Sequence, residues 1–175
     1  MGRPKPDVEL NGRPLISYPL AALEEAGLAP VVVAKRSTPL PEVTAPVWYE
    51  RDEPSHPAVG IVTALQRSPS DTLIIVGCDM PFLTTELFSY MSSLPDAIAV
   101  PFLDGRYQLA GRYPRVVAPS FAFGLANELS LQDVISDLGP FRLGEAELED
   151  FGDLDRLFFN VNTPDDLAQA ERWLS

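Results

Sequence analysis

The sequence predicts an α/β domain in which a mostly parallel β-sheet is flanked by helices. Three observations predict it. The apolar runs are short and β-branched or wholly apolar, as in strands buried on both faces: "VVVA" (31–34), "TLIIVG" (72–77) and "AIAVPF" (97–102). Segments with apolar residues three and four apart alternate with those runs. The connections are short, with no internal repeat and no low-complexity linker.

Taken in order, the first helix is expected over 17–27, with Ser17 as its cap and Pro19 in its first turn, where a missing N–H costs nothing. Gly27 supplies the stop. The strand 31–34 follows, then a short strand in "PVWYE" (46–50) and a helix over 57–67. After the strand 72–77, Pro81 turns the chain and Thr84 or Thr85 caps a helix over 84–94. The strand 97–102 leads to "RYQLAGRYP" (106–114), a short strand and turn. Two helices are expected next, 115–129 interrupted near Pro119, and 130–139. "LFFNVN" (157–162) reads as a last strand. In the closing helix Thr163 is the N-cap, Pro164 the first helical residue, and Asp165 and Asp166 favourable charges in the first turn.

At 175 residues, 46% apolar and 22% charged, the chain is long enough for one globular domain, expected over 1–175. No apolar run reaches membrane-spanning length, and the first twenty residues lack the apolar stretch of a secretory signal. A single cysteine, Cys78, excludes an internal disulfide and argues against a zinc site. The one histidine, His56, weakens triad and metal-triad chemistry and reads as a solvated loop residue. These features point to a cytoplasmic protein without a membrane partner. The net charge of −12 and pI near 4.4 would repel nucleic acid. They would repel small anions too, unless local cations or a divalent metal offset the carboxylates.

Four places could carry chemistry. In "TLIIVGCDMPFLTTEL" a buried strand ends at Cys78, and Asp79 follows at its carboxyl end, the edge of an open parallel sheet where ligands bind. A carboxylate there can hold Mg²⁺, which takes one or two carboxylates plus phosphate oxygens and waters; it can equally tie a turn to backbone N–H groups. Asn160 and Asn162, two apart, face one way on an extended segment and could read a heteroaromatic ring or complete a metal shell, although a purely local turn is the commoner use. Asp52 follows the short strand, and Gly60 sits in the first turn of a helix, where a glycine admits a base or phosphate or allows close helix–sheet packing. Lys5, in a Gly/Pro-rich segment, is either a phosphate-contacting cation or an ordinary surface lysine. Cys78 reads as a small buried hydrophobe, and Trp48 and Trp173 as packing residues. The common dinucleotide and P-loop glycine fingerprints do not occur.

In order, "MGRPK…NGRPLI", "VVVAKR", "DEPSHPAVGI", "VGCDMPFLTTEL", "GRYQLAGRYP" and "FFNVNTPDDLAQAE" resemble the molybdenum cofactor guanylyltransferases, the molybdopterin-guanine dinucleotide biosynthesis protein A family. The resemblance implies a three-layer Rossmann-like nucleotidyltransferase fold. It implies transfer of GMP from GTP to a pterin phosphate, molybdopterin, with release of pyrophosphate and with Mg²⁺ as cofactor. Molybdoenzyme apoproteins or insertion factors are the implied protein partners. Carried over by position, Asp79 would hold the metal and, with Lys5, serve catalysis. Gly2, Arg3, Lys5, Asp52 and Gly60 would bind nucleotide, and Asn160 and Asn162 would face the pterin or the metal. The "NVNTP" segment favours the guanylyl enzymes, whereas "MGRPK" is equally familiar among cytidylyl relatives, so the base stays open. A sugar-phosphate transferase and a catalytically silent binding protein of the same fold are the other readings. The family pattern places an apolar strand and a glycine-rich loop ahead of the "MG", and Pro4 stands where the pattern has Asp. The resemblance therefore implies a missing central strand, unpaired neighbours on either side of it, and impaired transfer by the chain as it stands.

Overall fold

The computed structural model describes residues 8–95 and 97–175, and the α/β class holds. A two-stranded antiparallel hairpin, β1 (Glu9–Leu10) and β2 (Arg13–Pro14), leads into α1 (Ser17–Glu25). Strands β3 (Val32–Lys35) and β4 (Val47–Glu50) form a parallel pair, with Val32 opposite Val47 and Lys35 opposite Glu50. Helix α2 (Pro57–Arg67) crosses to β5 (Thr72–Val76), and α3 (Thr85–Ser93) to β6 (Ala99–Leu103). Strands β7 (Arg106–Tyr107) and β8 (Ala110–Pro114) return antiparallel. Helices α4 (Ala118–Ala126) and α5 (Leu131–Asp137), strand β9 (Phe141–Leu143), the short helices α6 (Glu145–Leu148) and α7 (Leu154–Leu157), and α8 (Pro164–Leu174) complete the chain.

The ladders are mixed. β3–β4 and β6–β9 are parallel, and β8 runs antiparallel between β5 and β6. Alternation decides which face each strand residue meets. Ile74 and Val76 of β5 pack with Leu87, Phe88 and Met91 of α3, all three fully buried. Leu73 and Ile75 pack on the opposite side with Ile61, Val62 and Leu65 of α2 and Phe121 of α4. The sheet is thus covered by helices on both faces.

Caps account for several helix ends. The Thr84 and Thr163 side chains accept from the backbone N–H groups of Leu87 and Asp166, and Asp166 closes a capping box. Gly27 has φ +75°, the left-handed stop that a glycine adopts without strain. Other details depart from the sequence reading. His56 is no idle loop residue: its Nδ1 accepts from Ala58 N–H at 3.1 Å and caps α2. Ser17 lies inside α1, its Oγ donating to Pro14 C=O at 2.7 Å. Pro119 opens α4 rather than interrupting it. Strand β9 pairs through "FRL", too short and too exposed for its pattern to show. The expected strand at 157–162 is also corrected. Leu157 ends α7, and the segment after it runs extended outside any ladder.

Candidate active site

The extended segment after α7 is held by one backbone bond with consequences for the site: Val161 N–H donates to Asp79 C=O at 2.9 Å. Val161 is fully buried with Leu10, Leu15 and Ala170. Its neighbours Asn160 and Asn162 therefore turn the other way, as alternation on an extended segment requires. Trp173 of α8 packs edge-on against both Phe82 and Phe159, at centroid distances of 5.5 and 4.8 Å. The ring clamps the segment after β5 to the segment before α8. The Val161–Asp79 bond brings the backbone of this segment against that of Asp79, more than eighty positions earlier in the chain.

Asp79 sits where β5 ends, half-buried. Gly77 allows this: a Cβ built on it would lie 2.6 Å from Asp79 Oδ1. Any side chain at 77 would displace the carboxylate. Gly77 N–H donates to Leu109 C=O at 3.0 Å, which ties the turn to the connection before β8. Beside it, Leu103, Asp104, Gln108, Glu145, Leu154, Asp155, Phe158, Phe159 and Asn160 line a cavity of about 400 Å³. Asn160 lines this cavity, its Nδ2 donating to Phe158 C=O at 3.1 Å. Asn162 is exposed, and its N–H belongs to the cap of α8.

A second group gathers at the carboxyl ends of β3 and β4. Lys35 Nζ donates to Asp52 C=O at 2.6 Å, and Ser37 Oγ to Asp52 Oδ1 at 3.3 Å. Gly60 lies against Glu50, whose Oε2 would be 2.9 Å from a Cβ there, and against Val33. Asp52, through Lys35, and Gly60, against Glu50, thus belong to one cluster at the ends of β3 and β4. Cys78 packs against the apolar cluster of Ile16, Val32, Ala34 and Ala45. Lys35 and Glu50 were not singled out in the sequence. The signal that marks Asp79, a charged residue ending a buried strand, marks Lys35 as well. Gly2, Arg3 and Lys5 lie outside the described residues.

Burial raises the Glu50 carboxyl above its ordinary value of 4.5, Lys35 draws it back and Asp52 pushes it further up. A carboxyl harder to ionise in the folded chain keeps its proton where the unfolded chain has lost it. Its stabilising contribution is complete below 4.5 and disappears as pH rises through the folded value. Glu50→Gln is expected to remove this fall, flattening stability against pH just above 4.5. Urea denaturation at stepped pH checks it, and a curve identical to the wild type would contradict it.

Among the described residues no three acidic, cysteine or histidine side chains gather into a metal cage. The donor set at Asp79 is one carboxylate over a tight glycine turn. It fits an ion that keeps most of its ligands as water and phosphate oxygens, which is the habit of Mg²⁺ and not of Zn²⁺ or a Ca²⁺ cage.

Asp79 beyond the carboxyl end of β5 and Lys35 at that of β3 lie at the strand ends where open α/β sheets bind ligands, and the fold is that of the nucleotidyltransferases. Comparison with known proteins agrees. The chain belongs to the MobA-like NTP transferase domain family, whose model matches residues 1–141. It is 30% identical over 191 residues to the molybdenum cofactor guanylyltransferase of Rhizobium johnstonii, covering 99% of this chain and 87% of the relative. The enzyme of the same description from Shewanella amazonensis is 26% identical, with 99% and 90% covered. Among solved structures, molybdopterin-guanine dinucleotide biosynthesis protein A from Archaeoglobus fulgidus superposes with a TM-score of 0.77 at 21% identity, covering 97% of this chain and 90% of that one. The 2-C-methyl-D-erythritol 4-phosphate cytidylyltransferase of Thermus thermophilus superposes with 0.73 at 18% identity, covering 97% and 93%. These last two likenesses speak for the fold.

Proposed function

We propose that this protein transfers GMP from GTP to the phosphate of a molybdopterin-type pterin, releasing pyrophosphate, as a cytoplasmic step in molybdenum cofactor assembly. The observation that supports the reading is the Val161–Asp79 backbone bond, which joins the Asn160–Asn162 segment to the backbone of Asp79, the carboxylate that would hold a nucleotide-borne metal. The names of the 30% and 26% identical relatives support the choice of substrates.

A pterin phosphate oxygen attacks the α-phosphorus in line. The new P–O bond forms as the bond to the bridging oxygen breaks, and pyrophosphate leaves with that electron pair. The chain's share is positioning and charge compensation. Asp79 would hold Mg²⁺, which supplies neutralising charge to the triphosphate. Lys5 would add a cation there. Asp52 and Gly60, with Lys35 and Glu50 beside them, would line the base and ribose region. Asn160, at the mouth of the 400 Å³ cavity, would orient the pterin, whose ring would stack on Phe158 or Phe159. Asn162 would bound the same side.

A single-turnover assay with protein in excess over labelled GTP tests this. GMP is expected on the pterin with GTP and Mg²⁺, and none without the metal. Transfer from CTP in place of GTP would overturn the guanylyl reading. Transfer from neither, with nucleotide demonstrably bound, would favour a silent binding protein.

A further inference from the structure

We propose that the outward face of α4 is a self-complementary surface on which a second copy of this chain docks, the Phe123 ring of each copy entering a cavity of the other. A surface helix normally turns charged or polar side chains to water. α4 does the reverse. The single turn Arg115–Val117 and α4 bury Val117, Ala118, Phe121 and Gly124, and leave Val116, Pro119, Ser120, Phe123, Ala126 and Asn127 exposed. That outward face carries no charge, in a chain with 25 acidic and 13 basic residues. Val116 is 80% exposed and Phe123 64%, which places two large apolar side chains in water two helical turns apart on one stripe. Beside Phe123, Pro119, Ser120, Leu129, Val134 and Leu138 enclose a cavity of about 310 Å³, with the exposed Asp137 as its one charge. An exposed ring thus stands next to an apolar hollow.

Knob and hollow on one patch are the condition for an isologous contact, in which each copy offers both. The charges at the two ends fix the register. Arg115 precedes the uncharged face and Glu128 follows it. A twofold axis crossing α4 between Phe121 and Ala122 runs the two helices antiparallel and sets Arg115 opposite the partner's Glu128. The same axis sets Phe123 opposite the partner's Ser120, a small side chain in the wall of the cavity. One register therefore satisfies both the charges and the shape. Arg115 can reach across: its side chain is 47% exposed, and its guanidinium stands 3.8 Å from the exposed Asp71. Two copies that each carry a net charge of −12 also meet with least repulsion where neither bears a charge. A membrane surface does not suit this face. Arg115 is the one cation in the segment 115–128, and anionic headgroups are drawn by clusters of lysine and arginine.

Sedimentation velocity of the full chain over a dilution series tests this. It needs no nucleotide and no metal, so its outcome is separate from that of the transfer reaction. A species of twice 19.2 kDa is expected at the higher concentrations, dissociating on dilution. Phe123→Ser is expected to weaken the dimer at least ~30-fold, the effect of removing a central aromatic anchor. The ring is exposed, so the melting curve of that variant should stay where it is. Glu128→Arg sets two cations together and is expected to weaken the dimer ~tenfold. Adding Arg115→Glu to it restores the pairing and returns the dissociation constant to within ~threefold of the wild type. A chain that stays at 19.2 kDa at every concentration, a dimer indifferent to Phe123→Ser, or a double exchange no better than Glu128→Arg alone would each overturn the proposal.

Discussion

Asp79→Asn is expected to lower single-turnover transfer by about 10²–10³-fold, the usual cost of removing one charge-stabilising group from a site. The asparagine keeps the shape of the side chain, and the backbone C=O that receives Val161 N–H is untouched. The melting temperature should therefore move by no more than a few degrees. Raising the Mg²⁺ concentration should recover part of the loss, because the variant lacks the charge proposed to hold the ion and not the room for it. A variant as fast as the wild type would remove Asp79 from the mechanism and turn the reading toward a silent member of the same fold.

Gly77→Ala tests position rather than charge. The glycine has no positive φ, so alanine suits the backbone, and the atom in the way is the end of the Asp79 side chain at 2.6 Å. That carboxylate can swing aside, so the stability cost should stay below about 1 kcal/mol. Swinging aside would move the oxygen proposed to hold the metal by an ångström or more, and a displacement of that size costs about 10²-fold in rate. A large loss of turnover with a nearly unchanged melting curve is the expected pair of results. Full activity would show that the carboxylate works from another position.

How much of this was legible in the sequence depends on the range of the interaction. Strands β3, β5 and β6 and helices α2, α3 and α8 show in periodicity and caps, which are local. Asp79 shows as well, because a carboxylate closing an apolar strand is a local pattern with a topological meaning. "LFFNVN" misleads because its apolar residues serve a clamp: Phe159 meets Trp173, and Val161 meets the core under α8. No ladder is needed to bury them. Nothing local says that the segment will bond to Asp79. His56 reads as a loop residue in the sequence because imidazole is an uncommon helix cap, and Glu50 carries no local signal because its burial depends on Gly60 of the next helix.

Calorimetric titration of Mg·GTP and Mg·CTP into the wild-type chain and into Asp79→Asn tests the central claim most directly. Saturable binding of Mg·GTP, weaker binding of Mg·CTP and a marked loss of the first in the variant is the predicted result. Equal binding of both nucleotides, or binding that ignores the substitution, would contradict a guanine-nucleotide site built around Asp79.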